Sequence, residues 1–219
     1  MTPSEFRERL LTLARPLGIE LPAGTIDLLG SYLDLLTRWN ERINLTSLPL
    51  APPSDEGLRR LIVEPLAAAV HIPNASRQWF DIGSGGGSPA IPLKIARPLL
   101  ELHMVESVAK KAAFLRETAR VLGLAHTTVI GERLEDLVGR PEVQHVAELI
   151  TMRAVKTTDQ VLRACHELIA DGGELLLFCT AEPERVAPWF SHKSTAVLAD
   201  SSDVRLVRYM PVFHVEQTS

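Results

Sequence analysis

The nine residues Trp79-Phe80-Asp81-Ile82-Gly83-Ser84-Gly85-Gly86-Gly87 constrain this chain more than any other stretch. An apolar segment with an embedded acid runs straight into glycines at alternate positions, and Pro89 with the apolar series Ile91, Leu93, Ile95 follows. Glycine lacks a Cβ, so it tolerates positive φ and lets another group lie against the main chain. A strand ending in such a turn and feeding a helix offers free N–H groups to an anionic or carboxylate group. The run therefore predicts a strand–turn–helix unit of an α/β sheet, with a nucleotide-type ligand at the turn.

The spacing narrows the ligand. A dinucleotide fingerprint reads G-x-G-x-x-G, whereas here the pattern is D-x-G-x-G-x-G with Asp81 opening the loop. A carboxylate at that point repels a pyrophosphate but tolerates a zwitterionic amino-acid moiety. A second apolar run, 100–105, ends in Glu106, which stands where the ribose-binding acid of such sheets stands. Asp81, Gly83, Gly85, Gly87 and Glu106 thus form a candidate cofactor set, and they point to S-adenosylmethionine rather than NAD. The plain alternative is a tight turn followed by a helix cap at Glu106.

Alternating strands and helices occupy the chain from residue 78 onward. Strands are expected over 78–82, 100–105, 127–130, 148–152 and 173–179, and helices over 88–95, 108–122 and 157–169. A polar helix around 182–190 and late strands over 194–199 and 205–215 complete the pattern. This is the α/β arrangement of a class I methyltransferase (Rossmann-like) sheet, mostly parallel with a C-terminal antiparallel hairpin. Residues 1–75 read instead as an N-terminal helical extension to a domain of residues 76–219. Ile26, Leu29, Leu33, Leu36, Trp39 and Ile43 recur at three and four over a helix predicted for 25–46. An earlier helix is expected over 3–17 with Gly18 as its stop, and a third over 55–70 that Pro65 kinks or splits.

With 219 residues, 46% of them hydrophobic, the chain has ample material for a core. The net charge of −4 gives no overall attraction to nucleic acid, so any RNA contact must come from a local patch. Cys165 and Cys179 follow no metal spacing and suit reduced thiols in a cytoplasmic protein. No metal, no membrane segment and a monomeric state are expected.

Ligands of open α/β sheets lie beyond the carboxyl ends of the strands. That rule adds Arg133, Leu134 and Glu135 after the third strand, where an adenine edge would be met, and Arg153 after the fourth. Arg153 faces the substrate side, or else serves as the partner of a carboxylate such as Asp81 or Glu106. Lys94, Lys110, Lys111, Arg153 and Lys156, with Arg97, Arg116 and Arg120 nearby, suggest a basic rim for RNA phosphates. Such a run is alternatively a solvated helix face. No G-x-S-x-G elbow, P-loop or HExxH is present. The lack of an evident general base suits a ring nitrogen such as guanine N7, whose lone pair attacks directly.

The residues also resemble a known family. Trp39-Asn40 with Ile43-Asn44-Leu45-Thr46-Ser47, the run Asp81 to Leu93 with its G-x-P-x-I-P ending, Glu106-Ser107 with Lys110-Lys111, Gly131-Glu132-Arg133-Leu134-Glu135, and Arg153-Ala154 are similar to the GidB/RsmG group. These are bacterial methyltransferases that make 7-methylguanosine in small-subunit ribosomal RNA. The resemblance implies an S-adenosylmethionine-dependent enzyme acting on guanine N7 of 16S rRNA, alone or within the 30S subunit. It assigns Gly83, Gly85, Glu106 and the Arg133–Leu134–Glu135 turn to the cofactor, Arg133 and Arg153 to catalysis, and places Asn40 and Asn44 beside the RNA. The chain departs from the family in Arg60-Leu61-Ile62-Val63-Glu64-Pro65, where a histidine and an Asp-Ser pair are usual. It departs again at Cys179-Thr180-Ala181, where Lys-Gly is usual, and mildly at Ser88-Pro89-Ala90. Competing readings are a methyltransferase for another RNA or a small molecule, and a non-catalytic ribosome-assembly factor that keeps the fold.

Overall fold

The computed structural model describes residues 1–73, 77–180, 188–199 and 203–213. Its apolar runs pair into one seven-stranded sheet. The strands are β1 (Gln78–Ile82), β2 (Glu101–Val105), β3 (Thr127–Ile130), β4 (Ala147–Arg153), β5 (Ile169–Cys179), β6 (Phe190–Val197) and β7 (Arg205–Pro211). They lie in the order β3-β2-β1-β4-β5-β7-β6. β1 to β5 run parallel, while β7 is antiparallel to both β5 and β6. The helices are α1 (Pro3–Ala14), α2 (Ala23–Asn40), α3 (Asp55–Leu58), α4 (Glu64–Ala68), α5 (Ala90–Ala96), α6 (Ala109–Val121), α7 (Leu134–Val138) and α8 (Asp159–Leu168).

Period-two alternation divides the strands between two cores. Trp79, Leu102, Leu149 and Leu176 face Phe6, Leu29, Leu36, Ile62 and Leu66 of the N-terminal helices. Phe80, Ile82, Ile150 and Leu175 face Leu137 of α7 and Leu162 and Leu168 of α8. The N-terminal helices therefore share a core with one face of the sheet. Each large apolar side chain so buried contributes roughly 1.5–3 kcal/mol.

Three expectations are corrected and one, the interruption near Pro65, holds. α2 ends at Asn40, six residues before 46, because the Asn40 side chain accepts from the N–H groups of Leu45 and Thr46 and turns the chain away. The third helix does split at Pro65. A π-helical turn over Arg59–Val63 joins α3 to α4, and a 3₁₀ turn over Ala69–His71 follows. β5 starts at Ile169 rather than 173, with a register shift against β4 between Ala147 and Leu149 and with Gly172 at φ 74°. Phe190 opens β6, so the expected polar helix does not reach it; 182–187 lie outside the described residues, as do the last two positions of the late strand drawn to 215.

Candidate active site

Strand order reverses between β1 and β4: β2 and β3 lie on one side of β1, and β5 continues on the far side of β4. Such a switch point leaves a crevice beyond the strand ends. A cavity of about 380 Å³ occupies it, lined by Gly83, Ser84, Gly85, Gly86 and Ser88 after β1, and by Arg153 and Ala154 after β4. Leu45–Leu48, Arg60, Leu61 and Lys111 close its other sides.

The glycine loop needs its glycines. Gly83, Gly85 and Gly87 have φ of 69°, 51° and 84°, where a Cβ is strained. A Cβ on Gly83 would also stand 2.6 Å from Val155 Cγ2. The Glu106 carboxylate holds the loop from below, accepting from Gly85 N–H at 2.9 Å and from Val108 N–H at 2.8 Å. Each of its oxygens uses one donor, so further lone pairs stay open to a ribose diol. From the other side the Tyr32 hydroxyl of α2 donates to the Gly86 carbonyl at 2.7 Å. Burial raises the Tyr32 phenol, which fixes it as a donor.

Asp81 is buried and partly unsatisfied. Its Oδ1 accepts from Thr151 Oγ1 at 2.5 Å, and Thr151 in turn accepts from Trp79 Nε1 at 2.9 Å. Asp81 Oδ2 and Ser88 Oγ, both buried, have no hydrogen-bond partner among the described residues. Burial pushes the Asp81 carboxyl up to about 6, with the Thr151 hydrogen bond opposing. Orphaned oxygens around a loop that admits no Cβ are the features expected where a polar ligand completes the site. They fit S-adenosylmethionine, whose sulfonium and ammonium groups supply positive charge.

Arg153 is anchored from the third helical segment. In the π register Glu64 N–H donates to the Arg59 carbonyl, and Pro65 has no N–H to give. The Arg60 carbonyl is thereby left for Arg153 Nη1, which reaches it at 2.5 Å. Arg153 Nη2 pairs with the fully buried Glu64 at 2.5 Å. The expected partners Asp81 and Glu106 are thus corrected to Glu64. Arg153 stands between the first cavity and a second of about 390 Å³, lined by Met152, Val155, Leu177, Phe178, Cys179 and Val204. Its guanidinium lies 5.7 Å from the Phe178 ring centre, within cation–π range. Ala154 beside it takes φ 56°, a conformation that non-glycine residues adopt at a cost.

Of the expected site residues, Gly83, Gly85, Lys111 and Arg153 line the first cavity. Gly87 packs behind the loop against Tyr32 and Ile91. Arg133 precedes α7 and is exposed, with Leu134 buried and Glu135 half-buried. They follow β3, whose Ile130 carbonyl accepts the Glu106 N–H at 3.0 Å, so the turn sits at the neighbouring strand end and outside the cavity lining. Lys110 and Lys156 are exposed. Lys94 is corrected: it is 1% exposed, and its ammonium donates to the carbonyls of Pro98 and Leu100. Arg97 likewise binds the carbonyls of Ala69 and Ile72. α5 runs from the glycine loop back to the start of β2, which carries both cations to the opposite edge of the sheet. Sequence reasoning did not find Tyr32, Glu64 and Thr151. Glu64 and Thr151 are each a polar residue alone within an apolar run, which is the signal that marks them, whereas Tyr32, between Ser31 and Leu33, carries no such mark.

Among the described residues no helix is long and apolar enough to cross a membrane, and no group of three or more His, Cys, Asp or Glu is placed to hold a metal.

Solved structures share the architecture. The mitomycin 7-O-methyltransferase MmcR superposes with a TM-score of 0.56 at 17% identity, over 72% of this chain and 56% of that one. A methyltransferase from Aquifex aeolicus does so with 0.54 at 12%, over 71% and 93%. A mutant of MtNAS in complex with S-adenosylmethionine gives 0.54 at 14%, over 95% and 79%. At these identities the likeness shows the fold, that of the class I S-adenosylmethionine-dependent methyltransferases. Residues 25–193 match the GidB family model, described as rRNA small subunit methyltransferase G. Proteins named ribosomal RNA small subunit methyltransferase G are 36% identical over 170 residues in Roseiflexus sp. (strain RS-1), covering 77% of this chain and 71% of that one. In Desulfitobacterium hafniense (strain Y51) the figures are 30% over 222 residues, covering 98% and 91%. The chain belongs to the GidB family and is an S-adenosylmethionine-dependent methyltransferase.

Proposed function

We propose that this enzyme transfers the methyl group of S-adenosylmethionine to N7 of a guanine in small-subunit ribosomal RNA. The observation that carries the reading is the glycine loop at the β1/β4 switch point, held by Glu106 through Gly85 N–H, in a chain of the GidB family. Gly83, Gly85 and Glu106 would hold the cofactor, with Asp81 as the nearby acid and with Arg133, Leu134 and Glu135 toward its adenine. When bound, the cofactor supplies an electrophilic methyl on a cationic sulfur.

The chemistry of the walls supports a ring-nitrogen acceptor. Among the described residues no Asp, Glu or His lines either cavity, so none of them offers the carboxylate or imidazole base that an oxygen or exocyclic amine acceptor commonly uses. Guanine N7 has a free lone pair and needs no proton removed, so alignment supplies much of the rate. The second cavity, where Met152, Val155, Leu177 and Phe178 stand beside the polar Arg60, Arg153, Thr157 and Thr180, suits an unstacked base. A base inside an A-form helix hides N7 in a deep, narrow groove, so the acceptor is a loop or an exposed nucleotide. Arg153, Lys111, Lys110 and Lys156 would meet phosphates at the rim. The test is methyl transfer from labelled S-adenosylmethionine to 30S subunits, naked 16S rRNA and transfer RNA, all from cells lacking this protein. Label in small-subunit RNA alone supports the reading; label only in transfer RNA, or none, refutes it.

A further inference from the structure

The turn after α2 lies against the glycine loop, not apart from it. Asn40 Oδ1 accepts from Leu45 N–H at 2.8 Å and from Thr46 N–H at 3.0 Å. Thr46 Oγ1 then accepts from Leu48 N–H at 3.2 Å. One side-chain oxygen thus organises the backbone of the next segment, as Asx turns do. The Leu45 carbonyl it sets in place would stand 3.1 Å from a Cβ on Gly86, so turn and loop touch backbone to backbone. Two further contacts hold α2 to the same region: Tyr32 donates to the Gly86 carbonyl, and the Trp39 ring meets Phe114 of α6 edge-on at 5.8 Å. Leu45, Thr46, Ser47 and Leu48 face the glycine loop across the first cavity.

We infer that residues 45–48 form a wall of the cofactor site and that Asn40 is the residue positioning it, the cofactor touching the wall and Asn40 acting through it. The inference rests on the cofactor occupying the first cavity. It differs from the placement of Asn40 beside the RNA that family resemblance implies, and the difference is measurable. Among the described residues only the acceptor oxygen of Asn40 is used, so Asn40→Asp, which keeps it, should bind S-adenosylmethionine within about threefold of wild type. Asn40→Ala removes the acceptor of two N–H groups and should weaken the cofactor at least about tenfold, on the order of 1.4 kcal/mol. Its RNA affinity measured without cofactor should not change.

The experiment is calorimetric titration of the full chain and both variants with S-adenosylmethionine, alongside filter binding of 16S rRNA. Equal cofactor affinity in Asn40→Ala and wild type overturns the inference, as does a loss confined to RNA binding. Failure of the wild type to bind S-adenosylmethionine would instead refute the assignment of the cavity itself. If Asn40→Ala folds poorly, hydrogen exchange of the wild type decides. Slower exchange across 41–50 on adding the cofactor supports the wall, and unchanged exchange there overturns it.

Discussion

Replacing Glu64 by Gln probes how Arg153 is held. The change keeps size and an acceptor oxygen but removes the carboxylate that pairs with Arg153 among the described residues, on a Glu64 side chain with no solvent exposure. Little water reaches the buried side of the pair, and removing one partner of a buried pair costs about 3–5 kcal/mol. Gln retains one hydrogen bond, and Arg153 keeps the Arg60 carbonyl, so the expected loss is near the lower end, about 3 kcal/mol. In a protein of this size each kcal/mol moves the melting temperature by about 2–4 °C, so Tm should fall by roughly 6–12 °C. The double variant Glu64→Gln/Arg153→Met removes both charges and should recover much of that loss, since a buried pair is often replaceable by apolar groups. Thermal unfolding at low and high salt provides the assay. A loss below about 1 kcal/mol would refute the reasoning, because that is the value of a solvent-exposed pair. So would a double variant as unstable as the two single changes combined.

Further outcomes follow from the loop and its acid. The folded-state value of Asp81, pushed up to about 6 from 3.8, means that the folded protein holds an extra proton between those pH values. Wild-type stability should therefore fall as pH rises from about 4 to 6 and then level off, and Asp81→Asn should flatten that slope in pH-dependent thermal melts. A wild-type slope of the opposite sign over the same window, once other carboxylates are accounted for by the variant, would contradict the burial of Asp81. Gly83→Ala meets both a positive φ and a 2.6 Å approach to Val155. Calorimetry should show its cofactor affinity down by at least about tenfold, while Gly123→Ala, also at positive φ but with open space around it, should leave affinity unchanged.

The sheet was legible because its strands are short apolar runs set between turn residues, and β1 and β3 begin and end where those runs do. Helix ends were harder to read. The apolar spacing of α2 continues to Ile43, yet the helix stops where the Asn40 side chain captures N–H groups five and six residues ahead. Pro65 announces an interruption, but not that the backbone would answer with a π turn. The free Arg60 carbonyl, which serves a residue ninety-three positions away, is a consequence of that turn. No periodicity encodes such long-range pairing, so Glu64 could not be matched to Arg153 by spacing. Lys94 was misread as a rim cation although its helix, Ala-Ile-Pro-Leu-Lys-Ile-Ala, has no polar face to present. The glycine loop and Glu106 were legible because glycine at positive φ and an acid at a strand end are local requirements.

The atom methylated decides the chemistry of this site. Small subunits from cells lacking this protein, incubated with the purified enzyme and S-adenosylmethionine, can be digested and their nucleosides resolved by mass spectrometry. The expected product is 7-methylguanosine at one site in the small-subunit RNA. Methyl groups on an exocyclic amine or ribose oxygen, or no methyl transfer by enzyme that binds the cofactor, would contradict it.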